Sequence, residues 1–137
     1  MVAGIGSEEV AEVYAMEGSE SGKYVLTIDP LDGSGNVDVD GAMGTIFGVY
    51  RRSPDRIGQP AELIDFLQPG RDLVAAGYVL YGPSTMFVYS AGGAVNGFTL
   101  DRSIGAFFRT HPNIRVPARG GNYSVTAAHK TGWGAAT

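Results

Sequence analysis

The 137-residue chain contains no cysteine. Disulfides, thiolate metal sites and a cysteine nucleophile are therefore excluded, and the composition suits a reducing cytoplasm. No apolar run approaches the roughly eighteen residues that a membrane-spanning helix needs. The start, "MVAGIGSEEV", lacks a basic segment and a long apolar stretch, so it does not read as a secretory signal. No internal repeat and no low-complexity tract is visible. Charged residues make up only 18% of the chain and apolar residues 44%, the proportions of one globular domain and not of a disordered segment.

Positive charge is nearly missing from the first forty positions. Nine acids (Glu8, Glu9, Glu12, Glu17, Glu20, Asp29, Asp32, Asp38 and Asp40) face Lys23 alone, a formal charge of −8. The remainder holds five acids and nine bases, a charge of +4. Such polarity suits cations at the first part and phosphates at the second. A solvated acidic surface accounts for Glu12, Glu17 and Glu20.

What is present is a series of short β-prone runs. "VAGIG" (2–6), "KYVLTI" (23–28) and "MGTIFGVYRR" (43–52) read as strands. "GYVLYG", "STMFVYSA" and "AVNGFTLD" read as successive antiparallel strands joined by tight turns, and "GAFFRTHPNIRVP" continues as strand and loop. "SEEVAEVYAM" has some helical spacing. "AELIDFLQPGRDLVAAG" predicts two helical pieces broken at Pro69 and Gly70. The expected class is α+β: a mixed, largely antiparallel sheet with one or two flanking helices.

Four aspartates crowd residues 29–40, "DPLDGSGNVDVD". An EF-hand loop starting at Asn36 would need a bidentate Glu at its twelfth position, where Phe47 stands. Turn chemistry explains Pro30 and Gly33 but not two carboxylates, Asp29 and Asp32, three apart at a strand end, because close carboxylates repel unless a cation or proton compensates. A hard divalent cation would resolve this, taking Asp29, Asp32 and the Leu31 carbonyl as oxygen donors. Gly33, Ser34, Gly35 and Asn36 then offer backbone N–H groups and a hydroxyl to a phosphate, and a helix starting there would present its positive end. Glu8 and Glu9 form a second carboxylate pair. On a strand they would point opposite ways, one toward a metal and the other toward a water, although an isolated E-E pair is usually surface charge.

"DPLDGSGN" closely resembles the D-P-L-D-G-S-S-N signature of class 1 fructose-1,6-bisphosphatases, within the metal-dependent, lithium-sensitive sugar and inositol phosphatases. "GSEE", "GKYVLTIDPLDGS", "GTIFGVYRR", "LQPGRDLVAAGYVLYGPSTM" and "GFTLD" are similar to family blocks, in order and at family spacing. The resemblance implies a layered αβαβα fold, of which residues 1–137 would be the central portion, mostly N-terminal domain, cut at both ends. It implies Mg²⁺, with Mn²⁺ or Zn²⁺ as substitutes, on Glu8, Asp29, Asp32 and the Leu31 carbonyl. Glu9, Asp29 and Asp32 would be catalytic, with Glu9 deprotonating the attacking water, and Asp32, Gly33 and Ser34 would seat the 1-phosphate. Lys23, Tyr24 and Arg51 fall on positions that contact AMP in the family, although as residues alone they read as strand-end surface groups.

The implied protein is a cytoplasmic hydrolase of carbohydrate metabolism and gluconeogenesis, a homotetramer when full length, with no nucleic-acid or membrane partner. Gly35 stands where the family usually has a second Ser, and Thr126 and His129 replace two asparagines, the second of which helps hold the distal phosphate. Sedoheptulose 1,7-bisphosphate therefore stays open as an alternative substrate. So does a non-catalytic metal- or nucleotide-binding fragment, and the 137 residues alone are expected to be inactive.

Overall fold

A computed structural model describes residues 1–39 and 41–121. Eight strands form one sheet: β1 (Val2–Ser7), β2 (Tyr14–Ala15), β3 (Tyr24–Asp32), β4 (Met43–Arg51), β5 (Leu73–Tyr81), β6 (Met86–Ser90), β7 (Val95–Asp101) and β8 (Ala106–Ile114). Their order is β2-β1-β3-β4-β5-β6-β7-β8, and every pairing is antiparallel except that of β1 with β3. From β3 onward the sheet is thus a meander, as the runs of β-branched and aromatic residues between short turns predict.

The helical expectations need correction. Among the described residues the only helical pieces are 3-10 turns, at Ser34–Val39, Pro54–Arg56, Leu63–Asp65 and Gly70–Asp72. "SEEVAEVYAM" is not helical: residues 8–12 turn back and Tyr14–Ala15 pair with β1. A stretch this short cannot offset helix nucleation, and an open strand edge beside it offers hydrogen bonds at once. The break at Pro69 is present, but the pieces beside it are single turns, and "LVAAG" belongs to β5, where β4 supplies its ladder.

The core lies on one face at the β1/β3/β4 end. Ala3, Val25, Ala61 and Phe66 are buried together, with Val13, Ala15 and Tyr50 against them. The 53–72 connection folds over the sheet here, and the strand beneath must be bare. A Cβ on Gly4 would sit 2.6 Å from the Ala61 Cβ, so glycine is what lets the two chains meet.

That connection is organised by Arg52, which is 1% exposed. Its guanidinium forks onto the Asp65 carboxylate at 3.2 and 3.3 Å and donates to the carbonyls of Glu20, Gly22, Arg56, Gln59 and Pro60. The rigid planar fork of arginine suits such a site, where a lysine ammonium could not reach all partners. Burial raises the Asp65 pKa, but the Glu62 backbone N–H and the Arg52 and Arg56 guanidiniums outweigh it and hold this carboxyl below its ordinary range.

Candidate metal and phosphate site

The parallel register of β1 and β3 builds the site. Ser7 pairs with Ile28, so the residues leaving β1 emerge beside Asp29 as β3 runs on. Those residues are Glu8 and Glu9. They lie in a turn rather than on the strand, so strand alternation does not separate them as the sequence suggests. Glu8, Glu9 and Asp29 each bring a carboxylate oxygen to a cluster whose atoms all lie within 4.8 Å of one another. The Glu9 N–H donates to Ser7 Oγ at 3.3 Å, tightening the turn.

Asp32 reaches the same face by a device that its spacing hides. Three residues apart on a regular strand means opposite faces. Here Asp29 pairs with Ile46 and Asp32 with Gly44, only two apart on β4. One extra residue is accommodated as a β-bulge at Pro30–Leu31, which restores Asp32 to the side of Asp29. Proline belongs at such a bulge, where no ladder donor is needed. The Leu31 N–H donates to Asp29 Oδ1 at 3.0 Å and the Pro30 carbonyl accepts from Thr45 Oγ1 at 2.8 Å.

The electrostatics fit the crowding. The Asp29 carboxylate, followed by partial desolvation, a shared hydrogen bond with Asp29, and the charges of Glu9 and Asp32, pushes the Glu8 pKa up. A carboxyl whose charged form is disfavoured by neighbouring carboxylates is one whose charge a cation would stabilise. All donors are hard oxygens, the set that Mg²⁺-like ions take.

The chain next turns at Gly33, with φ of 81°. A Cβ there would also lie 2.8 Å from the Ala42 carbonyl, so both backbone and space require glycine. Ser34 opens the 3-10 turn with an exposed side chain, and Asn36 ties the loop by donating to the Ala42 carbonyl at 3.3 Å. What starts here is this six-residue 3-10 turn and not a longer helix. Asp38 on it is exposed, consistent with a solvent-facing role, while Asp40, Thr126 and His129 lie outside the described residues. Beside the acids an open apolar hollow of about 750 Å³ runs along the sheet past Thr27, Ile46, Ala76 and Tyr78.

The third group lies at the other end of β3. Tyr24 pairs with Arg51, whose guanidinium carbon sits 5.1 Å above the tyrosine ring. Lys23 beside them is exposed. Asp29 lies five positions beyond Tyr24 along β3, roughly 17 Å, so these groups stand apart from the acids. Arg51 is exposed and Arg52 is sealed inside, a difference that two adjacent arginines in the sequence do not reveal. Nothing in the sequence singles out Thr45 and Tyr81 within the blocks that hold them, yet their hydroxyls meet behind the bulge at 2.6 Å.

Three comparisons place this geometry among known proteins. The family described as "Fructose-1-6-bisphosphatase, N-terminal domain" matches residues 1–112. A class 1 fructose-1,6-bisphosphatase of Sorangium cellulosum (strain So ce56) is 51% identical over 132 residues, covering 96% of this chain and 38% of that protein. A second, from Acaryochloris marina (strain MBIC 11017), is 50% identical over 97% of this chain and 40% of its own length. The crystal structure of Leishmania major fructose-1,6-bisphosphatase in holo form superposes with a TM-score of 0.86 at 37% identity, over 98% of this chain and 43% of that one. The chain thus spans about two fifths of the length of the curated relatives it matches.

Proposed function

The chain belongs to the fructose-1,6-bisphosphatase family, and we propose that the full-length protein carrying it hydrolyses the 1-phosphate of fructose 1,6-bisphosphate, releasing fructose 6-phosphate and inorganic phosphate. The observation that carries this reading is the meeting of Glu8, Glu9 and Asp29, with Asp32 brought to their face by the bulge and a glycine turn following at once. Acids alone would suit many cation sites. Acids leading directly into a bare turn suit a cation and a phosphate together.

Glu8, Asp29 and Asp32, with the Leu31 carbonyl, would hold the cation, Mg²⁺ or in its place Mn²⁺ or Zn²⁺. When bound, such a cation supplies Lewis-acid polarisation of phosphoryl oxygens and a more acidic water. Glu9 orients the attacking water and accepts its proton, a task for which its exposed carboxylate stands within the acid cluster, on the turn that follows β1. The Gly33 N–H and the Ser34 hydroxyl bind the phosphoryl oxygens, and the glycine lets the ester approach the backbone. At the far end of β3, Lys23, Tyr24 and Arg51 would take AMP as an inhibitor, an assignment supported by the cation stacked on an aromatic ring. Membership in this family also makes a cytoplasmic homotetramer the working expectation.

Phosphate release from fructose 1,6-bisphosphate, measured on the full-length protein with Mg²⁺ and with a chelator, tests the reading. Metal-dependent turnover is expected, with kcat/KM at least about tenfold above that on sedoheptulose 1,7-bisphosphate, the scale of one lost substrate contact of about 1.4 kcal/mol. Equal or better turnover of the seven-carbon sugar would replace the substrate. No release from either would remove the phosphatase assignment.

A further inference from the structure

The bulge at Pro30–Leu31 has a support on the sheet face opposite Asp29. Thr45 lies between Ile46 and Gly44 on β4, so its side chain points away from the face that Asp29 and Asp32 share. Tyr81 pairs with Met43, two residues from Thr45, and therefore stands on the same opposite face. Thr45 Oγ1 is 2.8 Å from the Pro30 carbonyl and 2.6 Å from the Tyr81 hydroxyl.

The direction of these bonds follows from counting protons. A carbonyl cannot donate, so the single hydroxyl proton of Thr45 goes to Pro30. Tyr81 must then supply the proton between the two hydroxyls. The result is a one-way relay from Tyr81 through Thr45 to the Pro30 carbonyl, in which each bond polarises the next.

The Pro30–Leu31 peptide is held at its other end as well. A trans peptide is planar, with C=O and N–H directed oppositely. Drawing the carbonyl toward Thr45 on one face turns the Leu31 N–H to the other, where it donates to Asp29 Oδ1 at 3.0 Å. That bond fixes one carboxylate oxygen of Asp29, and the carboxylate thereby has a set orientation toward Glu8 and Glu9.

We propose that Tyr81 and Thr45 are positioning residues for Asp29, acting through the plane of the Pro30–Leu31 peptide from the reverse side of the sheet. The proposal rests on the reading of the acid cluster as a cation site, and it assigns to these hydroxyls a part in cation affinity although neither touches the cation. Loss of the relay leaves the bulge free to rotate, so the cluster must be ordered anew each time a cation binds.

The test uses Tyr81→Phe, Thr45→Val and Thr45→Ser in the full-length protein, with Mn²⁺ binding by calorimetry and hydrogen exchange of the metal-free peptide spanning residues 28–35. Tyr81→Phe is expected to weaken Mn²⁺ about fivefold, the effect of one hydrogen bond of about 1 kcal/mol, and to speed exchange in that peptide. Thr45→Val should do the same or more, and Thr45→Ser, which keeps the hydroxyl, should restore both readouts. A thermal midpoint lowered in Tyr81→Phe with unchanged Mn²⁺ affinity and unchanged exchange would overturn the proposal, since it would make the pair merely structural. Failure of the unsubstituted protein to bind Mn²⁺ would overturn the cation reading instead, and the proposal would then stand or fall on the exchange result alone. If Thr45→Val does not fold, Tyr81→Phe, which loses only an exposed hydroxyl, decides the matter.

Discussion

Gly35 departs from the resembling signature by one hydroxyl, and nothing lies within 4 Å of where its Cβ would be. Its neighbour Gly33 is fixed by backbone and by contact, whereas Gly35 is free to change. Gly35→Ser should therefore leave thermal stability within about 0.5 kcal/mol, as surface substitutions do, and should not raise KM for the sugar bisphosphate. A melting curve and one saturation curve check both. Glu8 makes a sharper case. Its ordinary acidity is reduced, chiefly by the Asp29 charge beside it. A raised carboxyl pKa means that the metal-free fold loses stability as pH rises from the ordinary glutamate range, near 4.3, through the raised value. Glu8→Gln should abolish that loss and make the metal-free protein more stable at neutral pH, while weakening Mg²⁺ binding. Parallel melts at acid and neutral pH, with and without Mg²⁺, measure all three effects.

Strands were the easiest elements to read. "KYVLTI" and "MGTIFGVYRR" are β-branched and aromatic runs between turn residues, and both lie in strands, β3 and β4. The end of β3 was not legible, because Asp29-x-x-Asp32 read as a turn beyond a strand, and only pairing with β4 reveals a bulge inside one. Helices were over-predicted for the same reason: apolar residues such as Val74 and Ala75 fit a helix face by spacing, yet a neighbouring strand decides what they pack on. The 53–72 connection depends on Arg52, a buried residue that composition disguised as surface charge. Asp65→Asn should destabilise the fold by about 3–5 kcal/mol, the effect of leaving a buried guanidinium without its counter-charge. Because the Asp65 carboxyl is held below its ordinary range, its contribution is complete above about pH 4 and is lost as pH falls through the depressed value. Acid unfolding of the two proteins should accordingly converge at low pH, and a difference that persisted there would contradict this assignment.

At the scale of the whole molecule, one sheet carries two separated groups of charged side chains and leaves much apolar surface open. The acids sit where β1 and β3 end, and the Tyr24–Arg51 pair where β3 begins. Phe47, Phe87, Tyr89, Phe98 and Phe107 form a contiguous aromatic patch on one face, with Phe107 still 45% exposed. Exposed patches of this kind are interaction surfaces or aggregation liabilities. The 137-residue chain by itself should bind an apolar dye and self-associate, and it should release little or no phosphate from fructose 1,6-bisphosphate. Dye fluorescence and a phosphate assay on that chain answer both. Residue types and resemblance single out Glu8, Glu9, Asp29 and Asp32, and the meeting of the first three has its physical origin in the parallel register that delivers Glu8 beside Asp29.

The most direct measurement is phosphate release from fructose 1,6-bisphosphate by the full-length protein bearing Asp29→Asn, at saturating Mg²⁺. Asp29 is the carboxylate that the strand pairing, the bulge and the glutamates all converge on. Its loss should lower kcat by at least about a hundredfold, the scale of removing one preorganised electrostatic contact to the reacting group, without unfolding the protein. Turnover within about twofold of the unsubstituted protein would contradict the assignment of this cluster as the site of hydrolysis.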